Sequence, residues 1–364
     1  MLSAVSRLPA AGALAAAWVA CALALACSRS AEVSGSPSEG LVFVRKTAEG
    51  TDLFRARIAD GAIERLTHTP DRNEDWPEWS DRIRRLAFLT APFAGRRSWD
   101  LLVWSPERRS EASIYASGQT EYFLDWSPGS AHLAYSHQTA EGPFVVAQVD
   151  VEANVRQVLT SANGSLLVRP SFAFDGRRLL AQELRSDRTS RILLLEPGHP
   201  ARNVTGAEPF YDDHPRFTRN DEWVTFDRRA SPTAPGDVLL IRPDGSETRN
   251  LTDSPEHDDH SPRPSPVRDE LVFVSDRDGT PDIHLVDYAT GARRNLTATP
   301  DAGEWMPRFS PDGERIVFVI LPPDFRPGRG PLDYGAARIA VIDREGRRLF
   351  ETDGINPAWM PAWK

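Results

Sequence analysis

The 364 residues, 40% hydrophobic and 26% charged, are enough for one large repeat domain or two ordinary ones. A formal charge of -9, a pI near 5.5 and the lack of any Lys/Arg block exclude a surface built for nucleic acid or anionic lipid. Both cysteines, Cys21 and Cys27, fall near the start, so everything beyond them folds without a disulfide and rests on its own core.

The chain opens with one arginine, Arg7, ahead of an uncharged Ala/Leu/Val/Trp run over residues 9–26. A positive head before an apolar core reads as an export signal spanning 1–26, with a short uncleaved membrane anchor as the competing reading. Leu23-Ala24-Leu25-Ala26-Cys27 resembles the lipobox of bacterial lipoproteins. That resemblance implies a lipid on Cys27, a place on the periplasmic face of the outer membrane, and no other membrane contact. Ala24-Leu25-Ala26 equally fits ordinary A-x-A cleavage, which would release a soluble periplasmic protein. Residues 27–39 are Ser-rich, lack an apolar period and read as a flexible tether.

From residue 40 to 364 one pattern recurs. Trp79, Trp126, Phe172, Phe217, Pro264 and Phe309 stand about 45–47 residues apart, five of them two places after a proline. Trp363 follows after about 54, behind Pro361. This is the length of a four-stranded propeller blade. Each unit adds a turn, plainest in Ser310-Pro311-Asp312-Gly313, where proline presets φ and glycine takes the positive-φ position. Apolar second strands follow near residues 41–44, 86–89, 133–135, 179–181, 223–226, 271–274 and 316–319, then third and fourth strands, the last often ending on Leu-Thr. The expectation is an all-β, seven-bladed β-propeller, with six blades as the alternative. Trp363 would supply the missing innermost strand of the first blade and close the ring, leaving no bare sheet edge.

Ser310-Pro311-Asp312-Gly313, Phe273-Val274-Ser275-Asp276-Arg277 and Asp282-Ile283-His284-Leu285-Val286 resemble the propeller repeat of the TolB family. TolB itself is six-bladed with a preceding α/β domain, and neither feature fits here. The resemblance implies a non-enzymatic envelope propeller that binds a protein or peptide as a monomer. Oligogalacturonate lyases resemble the same architecture, and imply instead a polysaccharide-acting or sugar-binding propeller with a His-lined metal site.

Two sets of side chains are candidates for function. Five places before the recurring aromatic stand Glu74, Glu121, Leu167, Asp212, Asp259, Glu304 and Ala358. The five acids would ring one channel mouth and receive a basic peptide or divalent cation, or else cap turns through backbone N–H groups. His214, His257 and His260 lie in neighbouring loops among carboxylates, a set able to hold Mn²⁺ or a similar ion. No Gly-x-Ser-x-Gly elbow and no phosphate-cradling glycine loop occurs, so the chain carries no motif for a catalytic centre and requires no cofactor. Asn203, Asn250 and Asn295 start Asn-x-Thr triplets at repeat spacing, which reads as part of the strand ending.

Overall fold

The computed structural model describes residues 40–92, 98–105, 110–115, 119–140, 142–159, 165–323, 325 and 334–361. Residues 1–26, read above as an export signal, Cys27 and the rest of the expected tether, and Trp363 lie outside the described residues, as does most of the long loop at 321–335.

Every described element is a strand. The chain begins with β1 (Gly40–Thr47), β2 (Gly50–Arg57) and β3 (Ile63–Arg65), paired antiparallel. A four-stranded sheet follows from β4 (Arg72–Ser80), β5 (Arg85–Pro92), β6 (Asp100–Ser105) and β7 (Ser110–Tyr115). The next is β8 (Glu121–Trp126), β9 (His132–Gln138), β10 (Phe144–Asp150) and β11 (Val155–Leu159). An eight-stranded sheet then combines two units. Its first half is β12 (Leu166–Phe172), β13 (Leu179–Leu184), β14 (Ser190–Leu195) and β15 (Arg202–Asn203). Its second half is β16 (Tyr211–Phe217), β17 (Val224–Arg229), β18 (Gly236–Ile241) and β19 (Thr248–Asn250). The halves meet through one parallel bridge, Ser190 to Tyr211. Two further four-stranded sheets are β20 (His260–Pro264), β21 (Glu270–Ser275), β22 (Asp282–Asp287) and β23 (Arg293–Asn295), and β24 (Gly303–Phe309), β25 (Arg315–Leu321), β26 (Arg338–Asp343) and β27 (Arg348–Asp353). The last strand, β28 (Ile355–Met360), returns to pair antiparallel with β1.

The first strand of each unit lies against the first strand of the next, from β4 through β8, β12, β16 and β20 to β24, while β28 touches both β4 and β25. This is a β-propeller arrangement. Burial follows from it. Second strands are covered on both faces by neighbouring sheets, so they read as unbroken apolar runs such as Leu41, Val42, Phe43, Val44 and Ile316, Val317, Phe318, Val319, all with no exposure. Outermost strands are exposed and polar: β19 has no buried residue, and β11 leaves Val155 in solvent. The largest apolar cluster includes Phe43, Phe318 and Trp359, so the first and last sheets share one core.

The Leu-Thr ending has a mechanical reason. Thr67, Thr252 and Thr297 accept, through Oγ1, the backbone N–H of Leu53, Val238 and Ile283 on the neighbouring third strands. Asn250 and Asn295 accept the N–H of the Thr two residues on through Oδ1, at 3.1 and 3.0 Å, as an Asx-turn does. In the Pro-Asp-Gly turn, Gly313 sits at φ 71° and donates to the Ser310 carbonyl at 2.8 Å.

The last strand differs from expectation in register. Its anchor is Trp359, paired with Leu41, and the proline two places before it is Pro357. Pro361-Ala-Trp363 repeats the same letters four residues later, although Trp359, 50 residues after Phe309, is the copy nearer the repeat length. With Trp359 as anchor, the residue matching Glu74 and Glu304 is Gly354, and Ala358 instead pairs with Val42.

Candidate functional site

The innermost strands share one irregularity. Pairing slips between Asp75 and Glu78 in β4, Tyr122 and Asp125 in β8, Val168 and Ser171 in β12, and Asp213 and Arg216 in β16. It slips likewise between His260 and Arg263 in β20, between Trp305 and Arg308 in β24, and opposite Val42 and Val44 in β28. At each slip one residue takes a positive φ: Trp76 52°, Phe123 55°, Arg169 53°, His214 52°, Ser261 54°, Met306 58° and Asn356 49°. Such bulges re-aim a side chain at the rim of a closed sheet structure. A proline follows in every case except Leu124, and its missing N–H costs little where the ladder is already broken.

The bulges bring these side chains into one rim. Trp76 and Phe123 pack edge to face at 5.0 Å, and the Arg169 guanidinium lies 4.4 Å above the Phe123 ring. Arg169 Nε bonds Asp213 at 2.9 Å, beside His214, whose Nε2 is 3.5 Å from Ser261 Oγ. Met306 is exposed. Asn356 Nδ2 donates to Asp75, the neighbour of Trp76, at 2.6 Å.

One side of the rim is aromatic. A cavity of about 220 Å³ is lined by Asp75, Trp76, Leu89, Trp99, Tyr122 and Tyr334. Asp75 accepts from Tyr334 Oη at 2.5 Å and from the Trp76 N–H at 2.8 Å, and burial pushes its carboxyl up to about 6. The other side is ionic. Buried Asp227 accepts from His214 Nδ1 at 2.7 Å, Arg229 Nε at 3.3 Å and the Ser261 N–H at 3.2 Å. Burial opposes its ionisation, but His214 and Arg229 win and hold the carboxyl well below the ordinary range. Arg229 also pairs with Asp258 at 2.7 Å. His260 is buried and stacked 5.4 Å from Trp305; desolvation, then Arg229, lower its pKa to about 3, so it is neutral at physiological pH.

The five acids singled out from the sequence are brought to equivalent places, and all are buried with internal partners. Glu74 accepts from Thr67 and Thr69, Glu121 from His137 at 3.1 Å, and Asp212 from Arg228 at 2.7 Å. Asp259 accepts from Arg277 at 2.8 Å and from Ser254, and Glu304 accepts from Thr297 at 2.7 Å. Desolvation lifts Glu74 and Glu304 to about 7. Of the three histidines, His214 and His260 meet through Ser261, with His260 Nδ1 2.9 Å from its hydroxyl, whereas His257 stands apart 3.6 Å from Asp276.

Among the described residues, the grouping with ligand atoms close enough for a metal is Asp278, Asp282 and His284. There the Asn295 amide donates to both carboxylates, at 2.7 and 2.8 Å, occupying oxygens that an ion would need. Of the bulge residues only His214 was singled out from the sequence; the other six, with Asp227 and Tyr334, were not. The signal for the bulges was present as the residue immediately before each recurring proline.

No family model matches the chain, and no curated protein does. Solved structures do. TolB from Acinetobacter baumannii is 16% identical with a TM-score of 0.53, over 89% of this chain and 83% of that one. The chain has a β-propeller fold of the kind TolB contains. The same propeller is similar to an oligogalacturonate lyase in complex with manganese, at 17% identity and a TM-score of 0.60, over 84% of this chain and 82% of that one. It also matches a prolyl endopeptidase at 13% identity and a TM-score of 0.65, over 86% of this chain but 48% of that one. The propeller therefore aligns with only about half of the peptidase.

Proposed function

We propose that this is an exported envelope protein whose propeller binds another protein or peptide at the bulge rim, without catalysing a reaction. The observation that carries the reading is the rim itself. Seven innermost strands each aim one side chain at a common circle, with an aromatic cavity on one arc and ionic groups on the other. Tryptophan, tyrosine and arginine at a concave, partly apolar surface are the residue types that anchor interfaces. Of the acids expected to line the mouth, Glu74, Asp259 and Glu304 serve in this reading as clasps between blades, through Thr67, Ser254 and Thr297, while Glu121 and Asp212 pair with the second strand of their own blade. The TolB likeness supports the fold and, through it, an envelope role.

The proposal includes seven blades. The eight-stranded sheet counts as two joined by the Ser190–Tyr211 bridge, and β28 joins the first blade as its innermost strand. It also includes export directed by residues 1–26 and a lipid on Cys27. Cys27→Ser should abolish incorporation of radiolabelled palmitate if Cys27 carries the lipid.

The binding reading is tested with a photo-crosslinking amino acid at Met306, on the rim, and at Val155, on an outer strand; both are exposed. In intact envelopes, a discrete adduct from Met306 alone that vanishes with Arg169→Ala supports the rim. No adduct, or the same adducts from both positions, overturns it.

A further inference from the structure

Two residues beyond each bulge, the innermost strands carry Glu78, Asp125, Ser171, Arg216, Arg263, Arg308 and Ala358 at equivalent positions. Arg308 on β24 reaches past β28 to bond Glu78 on β4 at 2.6 Å. That reach places these side chains inside the ring of strands, since a contact between adjacent sheets could not skip one.

Three guanidinium groups and two carboxylates therefore share the axis. Glu78 is taken by Arg308. Asp125 accepts the Phe172 N–H at 2.7 Å, and Arg216 donates to its own Pro215 carbonyl at 2.9 Å. The Arg263 side chain has no hydrogen bond or ion pair among the described residues, although the residue is half-buried. Burial, then Arg216 and Arg308, pull its pKa well below the arginine range, while Glu78 and Asp125 oppose them. An unpaired guanidinium in so confined a place is unfavourable, all the more beside two like charges. An oxyanion satisfies it, because its oxygens match the planar fork of arginine donors.

We infer that the propeller axis is an oxyanion site, with Arg263 and Arg216 as its ligands and Ser171 on the same ring. It lies two residues along each strand from the rim and does not depend on what the rim binds. The ligand class is a carboxylate or phosphate group, free in solution or borne by a partner.

The probe is inorganic phosphate, with acetate in parallel, against chloride at matched ionic strength. The readout is the melting temperature of the mature chain. Phosphate or acetate should raise Tm in a saturable manner, by about 4 °C at a hundredfold excess over Kd. Arg263→Met should abolish that rise, yet melt in chloride no lower than the native chain, because it removes an unpaired charge. Arg177→Met, an exposed arginine, should keep the full response. A response to acetate and phosphate alike fits a site for carboxylates in general, and a response to phosphate alone restricts it to phosphate. No saturable rise with either anion, or an equal rise in Arg263→Met, overturns the inference. So does a large loss of Tm for Arg263→Met in chloride, which would make Arg263 part of a stabilising internal network.

Discussion

Replacing Trp359 tests whether the closing strand is registered as described. Its side chain is 9% exposed, its backbone pairs with Leu41, and its Nε1 donates to the Arg308 carbonyl at 3.2 Å. Trp359→Ala removes a buried ring from the core shared by the first and last sheets, a change that costs about 3–5 kcal/mol. Near the midpoint unfolding entropy is about 2.1 cal/mol/K per residue, or about 0.7 kcal/mol/K for a domain of roughly 320 residues. The expected fall in Tm is therefore about 4–8 °C, read by far-ultraviolet circular dichroism. Trp359→Phe keeps most apolar contact and loses the Arg308 hydrogen bond, which is worth about 1 kcal/mol, so its fall should be about 1–2 °C. Phe174→Ala, at an exposed ring, should change Tm by less than about 1 °C. If Trp359→Ala falls by no more than Phe174→Ala, the ring is not closed through this residue and the register is wrong.

Glu304 is lifted by burial to about 7, against about 4.5 unfolded, so its contribution is complete below pH 4.5 and is lost as pH rises through 7. Urea titrations should show the stability of the native chain relative to Glu304→Gln falling by about 3 kcal/mol between pH 4.5 and 8; a constant difference would contradict the assignment. His260, lowered to about 3, contributes stability above pH 6.5 that is lost as pH falls towards 3. His260→Gln should flatten that acid limb by about 4 kcal/mol, and an unchanged limb would place the titration elsewhere. Asp227→Asn strips the carboxylate from His214 and Arg229 and should destabilise by about 3–5 kcal/mol. Adding Arg229→Met should recover part of that loss; if the double variant is as unstable as the sum of the singles, the two residues are not coupled.

The repeat was legible in the chain because its signals are local. Proline before the anchor tolerates a broken ladder, Pro-Asp-Gly sets a turn, and the Leu-Thr ending caps a neighbouring strand, each within a few residues. Strand positions such as residues 41–44 and 316–319 followed from their unbroken apolar character, which a sheet covered on both faces demands. Local signals could not choose between Pro357-Ala-Trp359 and Pro361-Ala-Trp363, since both satisfy the pattern. Only pairing with Leu41 and burial in the core that also holds Phe318 decides it. The spacing put the five acids at equivalent strand positions but said nothing of their surroundings. Whether a carboxylate such as Glu304 faces water or a threonine depends on a neighbouring strand's approach, which sequence spacing does not encode.

The chain by itself determined the blade, because each blade's turns and alternation are settled within about 45 residues. Tertiary structure alone decided the rim and the axis. Trp76, Phe123, Arg169, His214 and Ser261 are separated along the chain by whole repeats, and become neighbours only because the first strand of each unit lies against the first strand of the next. Tertiary packing likewise sets Arg308 against Glu78, a pairing no single repeat contains.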